Sequence, residues 1–103
     1  MGKSHRRELG SRLRVLLIHL LKYQFQPEKQ GSSWLGSIGE QRSELRDLLE
    51  QNPILQREVE QQAARVYPNA VQRAANETGL ATATFPSENS YSSDQLLDPC
   101  FFP

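Results

Sequence analysis

Three side chains in the first half of the sequence could form a general acid–base pair. His19 lies inside a strongly apolar segment, and Glu40 and Glu44 are four residues apart, which places both carboxylates on one face of a helix. An imidazole beside a carboxylate can act as a general base or a metal ligand. No second His or Cys lies at ligand spacing. We therefore favour a hydrogen-bonded core role for His19 over an enzyme that uses it with Glu40 or Glu44.

A cluster of four arginines could bind a polyanion. The cluster consists of Arg6, Arg7, Arg12 and Arg14. Residues 1–22 carry a net charge of +5 and residues 23–103 carry −5, so the whole chain is neutral. Such a basic helix is a candidate nucleic-acid interface. We favour neutralisation by acidic groups of the same molecule or of a second copy, because basic stretches are common on solvated surfaces.

Aromatic residues on either side of Pro27 form the last candidate site. Tyr23, Phe25 and Trp34 could line a ligand pocket or form a base-stacking platform, but packing in the core and at its rim is the favoured interpretation. The sequence contains no phosphate loop, dinucleotide fingerprint, zinc spacing, nucleophile elbow or recognisable helix-turn-helix. We therefore expect a protein that is not an enzyme and that holds no metal or cofactor.

The number of cysteines and one apolar segment indicate the cellular location of the protein. Cys100 is the single cysteine, which excludes an internal disulfide and fits a reducing cytoplasm. Residues 15–21 follow basic residues as in a signal peptide, but His19 interrupts them and no small-residue cleavage site follows. The segment is also too short to span a bilayer. We expect a cytoplasmic protein that does not associate with membranes.

The elements that must position these residues are helices. Leucines at steps of three and four predict a first helix over residues 4–24, with Ser4 as its N-cap and Pro27 ending it. They are Leu9, Leu13, Leu16, Leu17, Leu20 and Leu21. Apolar residues on further sides of the segment 13–21 make this the predicted central helix.

Two more helices follow. Ser33 is the predicted N-cap of a helix over residues 34–51, and Asn52 with Pro53 predicts a break and a restart that runs to residue 78. Gly79 supplies the residue that commonly ends a helix, and Pro68 predicts a kink or a split near Tyr67. Glycines are costly inside helices, so we expect positions 36 and 39 to lie against a closely packed neighbour.

The segment 80–103 is predicted to be a loop, a short helix and a tail that pack on the bundle. Ser92 and Gln95 have the spacing of a capping box, and Pro99 ends the helix that follows. The sequence therefore predicts an all-α fold: one domain over residues 1–103, a small bundle of three main helices with a short C-terminal helix and a packed tail.

The order of motifs resembles one bacterial family, common in cyanobacteria, known as domain of unknown function twenty-nine. The matching segments are 11–27 (SRLRVLLIHLLKYQFQP), 34–49 (WLGSIGEQRSELRDLL), 75–80 (ANETGL), 85–86 and 95–103 (QLLDPCFFP). The resemblance implies an all-helical domain without an assigned activity. Relatives carry a further acidic and aromatic helical region before the segment 3–14, so we expect this chain to be incomplete at its N-terminus.

These observations predict a helical module that presents a helix face to a protein partner or to a second copy. The alternative is nucleic-acid binding through the four arginines, and the enzyme is the least favoured hypothesis. The residues that we expect at an interaction site are Arg6, Arg7, Arg12, Arg14, His19, Trp34, Glu40 and Glu44.

Overall fold

The structure is built from helices. It is a computed structural model that describes the backbone of residues 2–103 and the side chains of residues 5–103. The α-helices are α1 (Gly2–Phe25), α2 (Ser32–Gln51), α3 (Val59–Thr78) and α4 (Ser93–Leu97). Short 3₁₀ helices cover Pro27–Lys29, Pro53–Glu58 and Thr82–Thr84. No strand occurs between residues 2 and 103. The predicted all-α bundle is confirmed.

Helix α1 is the centre of the core, as its leucine spacing predicts. Its six stripe leucines are at most 1% exposed, and burial of each such side chain contributes about 1.5 to 3 kcal/mol. Helix α3 runs parallel to α1, because Arg6 pairs with Glu58 at one end and Lys22 with Glu77 at the other. Helix α2 runs antiparallel to α1 and places Trp34 beside Lys22.

The two flanking helices fill the core with side chains of different size. Helix α2 contributes Ile38, Leu45, Leu48 and Leu49. Helix α3 contributes mainly valine and alanine, and Ala63, Ala70 and Ala74 are fully buried. Because alanine is short, the backbone of α3 can approach the leucines of α1 closely and leave few voids.

Two of the predicted helix caps are wrong. Helix α1 already begins at Gly2, so Ser4 lies inside it, and α2 begins at Ser32 with Gly31 as its N-cap, so Ser33 is also helical. Gly31 has an extended backbone (φ −157°, ψ 176°) and no side chain to accept a hydrogen bond. The helix therefore begins where the backbone conformation changes and not at the residue with the best capping side chain.

The break at Asn52 is confirmed, but the helix that follows differs from the prediction. The Asn52 side chain donates to the Leu48 carbonyl at 3.1 Å and so closes the end of α2 instead of capping the next helix. Pro53–Glu58 then forms a 3₁₀ helix, and α3 begins only at Val59.

Helix α3 continues through Pro68 without a split near Tyr67, which corrects one of the two predicted outcomes. Pro68 is exposed, so its ring points away from the core. It has no N–H, and the carbonyl of Ala64 therefore lacks its usual partner four residues later. The predicted end of the helix is confirmed, since Gly79 has the left-handed conformation (φ 79°).

The C-terminal segment packs on the bundle. The predicted capping box of α4 is present, with reciprocal hydrogen bonds between Ser92 and Gln95. Phe85, Tyr91 and Leu96 are buried, and the tail continues over the core with Phe101 partly buried. No helix of the described chain combines the length and apolarity needed to cross a lipid bilayer.

The expected reason for the two glycines of α2 is wrong. A Cβ atom added at Gly36 or Gly39 would meet no other atom within 4 Å, so no neighbour requires these glycines. Their positions are open to solvent.

Replacement of glycine by alanine at two open positions tests how the backbone conformation of each position affects stability. We expect Gly36→Ala to raise the free energy of unfolding by about 1 kcal/mol, because alanine favours the helix and has room there. The matched Gly79→Ala should lower it by about 1 kcal/mol, because its φ is positive. Urea unfolding of both variants measures this, and a destabilised Gly36→Ala would contradict the open position.

Candidate functional site

Two of the four clustered arginines are neutralised within the molecule. Arg6 donates from Nε to both carboxylate oxygens of Glu58, at 2.9 and 3.1 Å. Arg12 lies 3.7 Å from both Glu8 and Glu44, and it donates to Gln41 at 3.4 Å. These pairs connect α1 to its neighbours on both sides, which supports the structural interpretation of half of the cluster.

The other two arginines form no ion pair in the part of the chain that the structure describes. Arg7 is exposed, and Arg14 is partly buried with an Nε atom that has no hydrogen-bond partner there. Arg7, Ser11 and Arg14 are spaced by four and three residues, so they share one helix face. This surface is called here the arginine face; Arg7 and Ser11 are exposed on it, whereas the Nε atom of Arg14 is buried. It has the chemistry to bind an anionic group.

His19 and the two glutamates are not brought together. The His19 Nδ1 atom lies 2.9 Å from the carbonyl oxygen of Val15 in the same helix, and His19 makes no hydrogen bond to Glu40 or Glu44. Glu40 is exposed on α2, whereas Glu44 faces Arg12. The arrangement provides no acid–base pair from these residues.

Near the C-terminal end of α1, Lys22 contacts both flanking helices, including the predicted site residue Trp34. Its ammonium group donates to Glu77 at 2.9 Å and lies 5.0 Å from the centre of the Trp34 ring. The hydrogen bond from Lys22 lowers the pKa of Glu77, partial burial opposes this, and the charges of Lys22, Arg73 and His19 lower it further. Trp34 is thus part of a structural contact that joins all three main helices.

The predicted aromatic platform is divided among separate partners. Tyr23 packs on Phe102 with ring centres 5.6 Å apart, and Phe25 packs edge-on against Phe85 at 5.3 Å. Trp34 faces Lys22 instead. The aromatic side chains therefore anchor the C-terminal segment, as the packing interpretation predicts.

Arg42 is the residue that the sequence analysis missed. It is 2% exposed, and its guanidinium donates to three backbone carbonyls of the C-terminal segment: those of Leu96 at 2.9 Å, Phe101 at 2.8 Å and Gln95 at 3.0 Å. The ring of Phe102 lies 5.4 Å from the guanidinium carbon. Arg42 thus holds the tail on α2.

The electrostatics of Arg42 explain why its partners are carbonyls. Burial lowers the pKa of Arg42, and the negative charge of Asp98 raises it. A guanidinium stays charged in proteins, so its burial requires oriented acceptors. The sequence did contain a signal: Arg42 lies on the inward stripe of α2, between Ile38 and Leu45, where an apolar residue is the rule.

Two buried tyrosines use their hydroxyl groups in structural hydrogen bonds. The Tyr91 hydroxyl donates to Gln24 at 2.6 Å, and burial raises the pKa of Tyr91 strongly. Burial also raises the pKa of Tyr67, whose hydroxyl donates to the Pro86 carbonyl at 2.8 Å. Among the described residues, no group of three or more His, Cys, Asp or Glu side chains is arranged to hold a metal ion.

Removal of the Arg42 guanidinium should release the tail. We expect Arg42→Met to lower the free energy of unfolding by about 3 kcal/mol, because three carbonyls lose a charged donor. Chymotrypsin should also cleave the tail faster. Arg46→Met is the control, since Arg46 is exposed on the same helix. Equal stability of the two variants in urea would contradict the role of Arg42.

The Lys22–Glu77 contact should make stability depend on pH. The pKa of Glu77 is lower in the folded chain than its ordinary value of 4.5. Its contribution is therefore complete above pH 4.5 and is lost as the pH falls through the folded pKa. The stability difference between wild type and Glu77→Gln should be largest near pH 7 and shrink in acid. Glu40→Gln is the control, and a difference that grows in acid would contradict this prediction.

Comparison with known protein families gives a match over nearly the whole chain. The family model described as Domain of unknown function DUF29 matches residues 1–102. No curated protein and no solved structure matches the chain. The matched range includes α1, the arginine face, Arg42 and most of the tail that Arg42 holds. The chain therefore belongs to the family Domain of unknown function DUF29.

Proposed function

We propose that the chain is a protein-interaction module that binds an acidic helix of a partner protein on the arginine face. The observation that carries the proposal is the unequal neutralisation of the cluster. Arg6 and Arg12 have carboxylate partners, whereas Arg7 and Arg14 have none among the described residues. Two cations that share one helix face and lack carboxylate partners among the described residues attract an anionic partner.

The spacing of the two arginines fits a helix. Arg7 and Arg14 are seven residues apart, which is about 10 Å along α1. Carboxylates seven residues apart on a partner helix have the same separation. Ser11 lies between the arginines, and its small side chain allows a second helix to approach.

The positions of the exposed apolar side chains favour recognition through charge at the arginine face. The large exposed ones are Leu35 (42%), Ile54 (63%) and Phe102 (39%), which belong to three different elements. Leu35 lies in the first turn of α2 and Ile54 lies beyond its last turn. None of these three side chains belongs to α1, which carries the arginine face, so charge is the better basis for recognition there.

Nucleic acid is the less favoured partner of the same face. Proteins that bind duplex DNA commonly make about six to ten phosphate contacts, and two unpaired arginines supply few of these. The proposed role is binding and not catalysis.

The exposed free thiol of Cys100 supports the expectation of a reducing, cytoplasmic location.

Reversal of charge on the arginine face tests the proposal. The probe is a fluorescein-labelled helical peptide of about 20 residues with glutamates at heptad spacing. We expect the wild-type chain to bind it, Arg7→Glu and Arg14→Glu to weaken binding about tenfold each, and Arg46→Glu to bind like wild type. Fluorescence anisotropy at low and moderate salt measures these affinities.

Three outcomes would overturn the proposal. The first is equal binding of a peptide with glutamine in place of glutamate. The second is tighter binding of a labelled DNA duplex or single strand that both reversals abolish, which would favour nucleic acid. The third is a wild-type dimer in sedimentation that both reversals dissociate, which would favour a second copy.

A further inference from the structure

A long groove runs between α3 and the segment that follows residue 82. It consists of two adjoining cavities of about 570 and 620 Å³, which share Tyr67, Pro68 and Ser87 as walls. We call it the Pro68 groove. It lies on α3 and the loop before α4, so it is separate from the arginine face on α1.

One wall of the groove offers a free backbone acceptor. Pro68 cannot donate to the carbonyl of Ala64, and both residues line the part of the groove that includes Glu60. Ala64 is an exposed residue of this wall. A backbone acceptor without a helical partner is unusual on a continuous helix.

The opposite wall offers free backbone donors. In the described chain, the N–H groups of Ser87, Glu88 and Ser90 donate no intramolecular hydrogen bond. This wall is nevertheless held in place. Asn89 exchanges hydrogen bonds of 3.0 Å with the backbone of Tyr91, and the Tyr67 hydroxyl holds the Pro86 carbonyl. The groove is therefore formed before a ligand binds.

The two ends of the groove differ in chemistry. Glu60 and Glu88 line one end, where no basic side chain is present among the lining residues. Val71, Ala83 and Phe85 line the other end, which carries no charged side chain. From Glu60 to Val71 is about 16 Å along α3, the span of about five residues of extended chain.

We propose that the Pro68 groove binds an extended peptide segment in which a lysine or arginine is separated by three residues from an apolar side chain. The basic side chain pairs with Glu60 and Glu88, and the apolar one packs against Val71 and Phe85. The backbone between them donates to the Ala64 carbonyl and accepts from the amides of the 87–90 loop. This is recognition of an extended chain by unpaired backbone groups, with side-chain pockets that give specificity.

The experiment uses the full chain labelled with ¹⁵N. Two octapeptides carry one arginine and one leucine in either order, separated by three serine or threonine residues. We expect one of them to shift the amide signals of Ser87, Glu88 and Ser90, with saturation at submillimolar to millimolar peptide. A third peptide with glutamate in place of arginine should bind at least about fivefold more weakly.

Variants confine the effect to the groove. Ala64→Trp fills the groove from an exposed helix position and should abolish binding, while Gln61→Trp, exposed one turn away, should not. Glu88→Gln should weaken binding about fivefold, and Glu40→Gln on α2 should leave it unchanged. Absence of shifts for both peptides at several millimolar, or equal binding of the acidic peptide, would overturn the proposal.

Discussion

Burial of the Arg42 charge is the constraint on which the position of the C-terminal tail depends. Arg42 is 2% exposed, so its guanidinium has lost most of its hydrogen bonds to water and requires acceptors from the protein. The backbone carbonyls of residues 95, 96 and 101 supply them. Those carbonyls can converge only if α4 ends where it does and the tail turns back over α2. The position of Leu96 and Phe101 over the core follows from that geometry.

The remainder of the core depends on a simpler match between long and short side chains. Leucines line α1 on its buried face, and alanines line the facing side of α3. This arrangement follows from local periodicity, which is why the number, type and approximate extent of the main helices could be predicted from the sequence. Gly79 and the Ser92–Gln95 capping box were predictable for the same reason, since each acts over a few residues.

Features that depend on distant residues could not be predicted in this way. Arg42 interrupts an apolar stripe, but its acceptors are backbone carbonyls more than 50 residues away, and a residue of any type can supply a backbone carbonyl. Glu58, which pairs with Arg6, and Glu44, one of two carboxylates near Arg12, likewise lie in other helices. The sequence therefore identified the arginine cluster, whereas only the structure divided it into neutralised and unpaired members.

The separation in sequence between Arg42 and its acceptors also has an entropic consequence. The three hydrogen bonds join positions 53, 54 and 59 residues apart, so they close long loops at a large entropic cost. Helices α1 and α2 meet through a short connection and can pair first. The tail is a single segment at the end of the chain, and its opening would hydrate the guanidinium without requiring the leucine–alanine core to open.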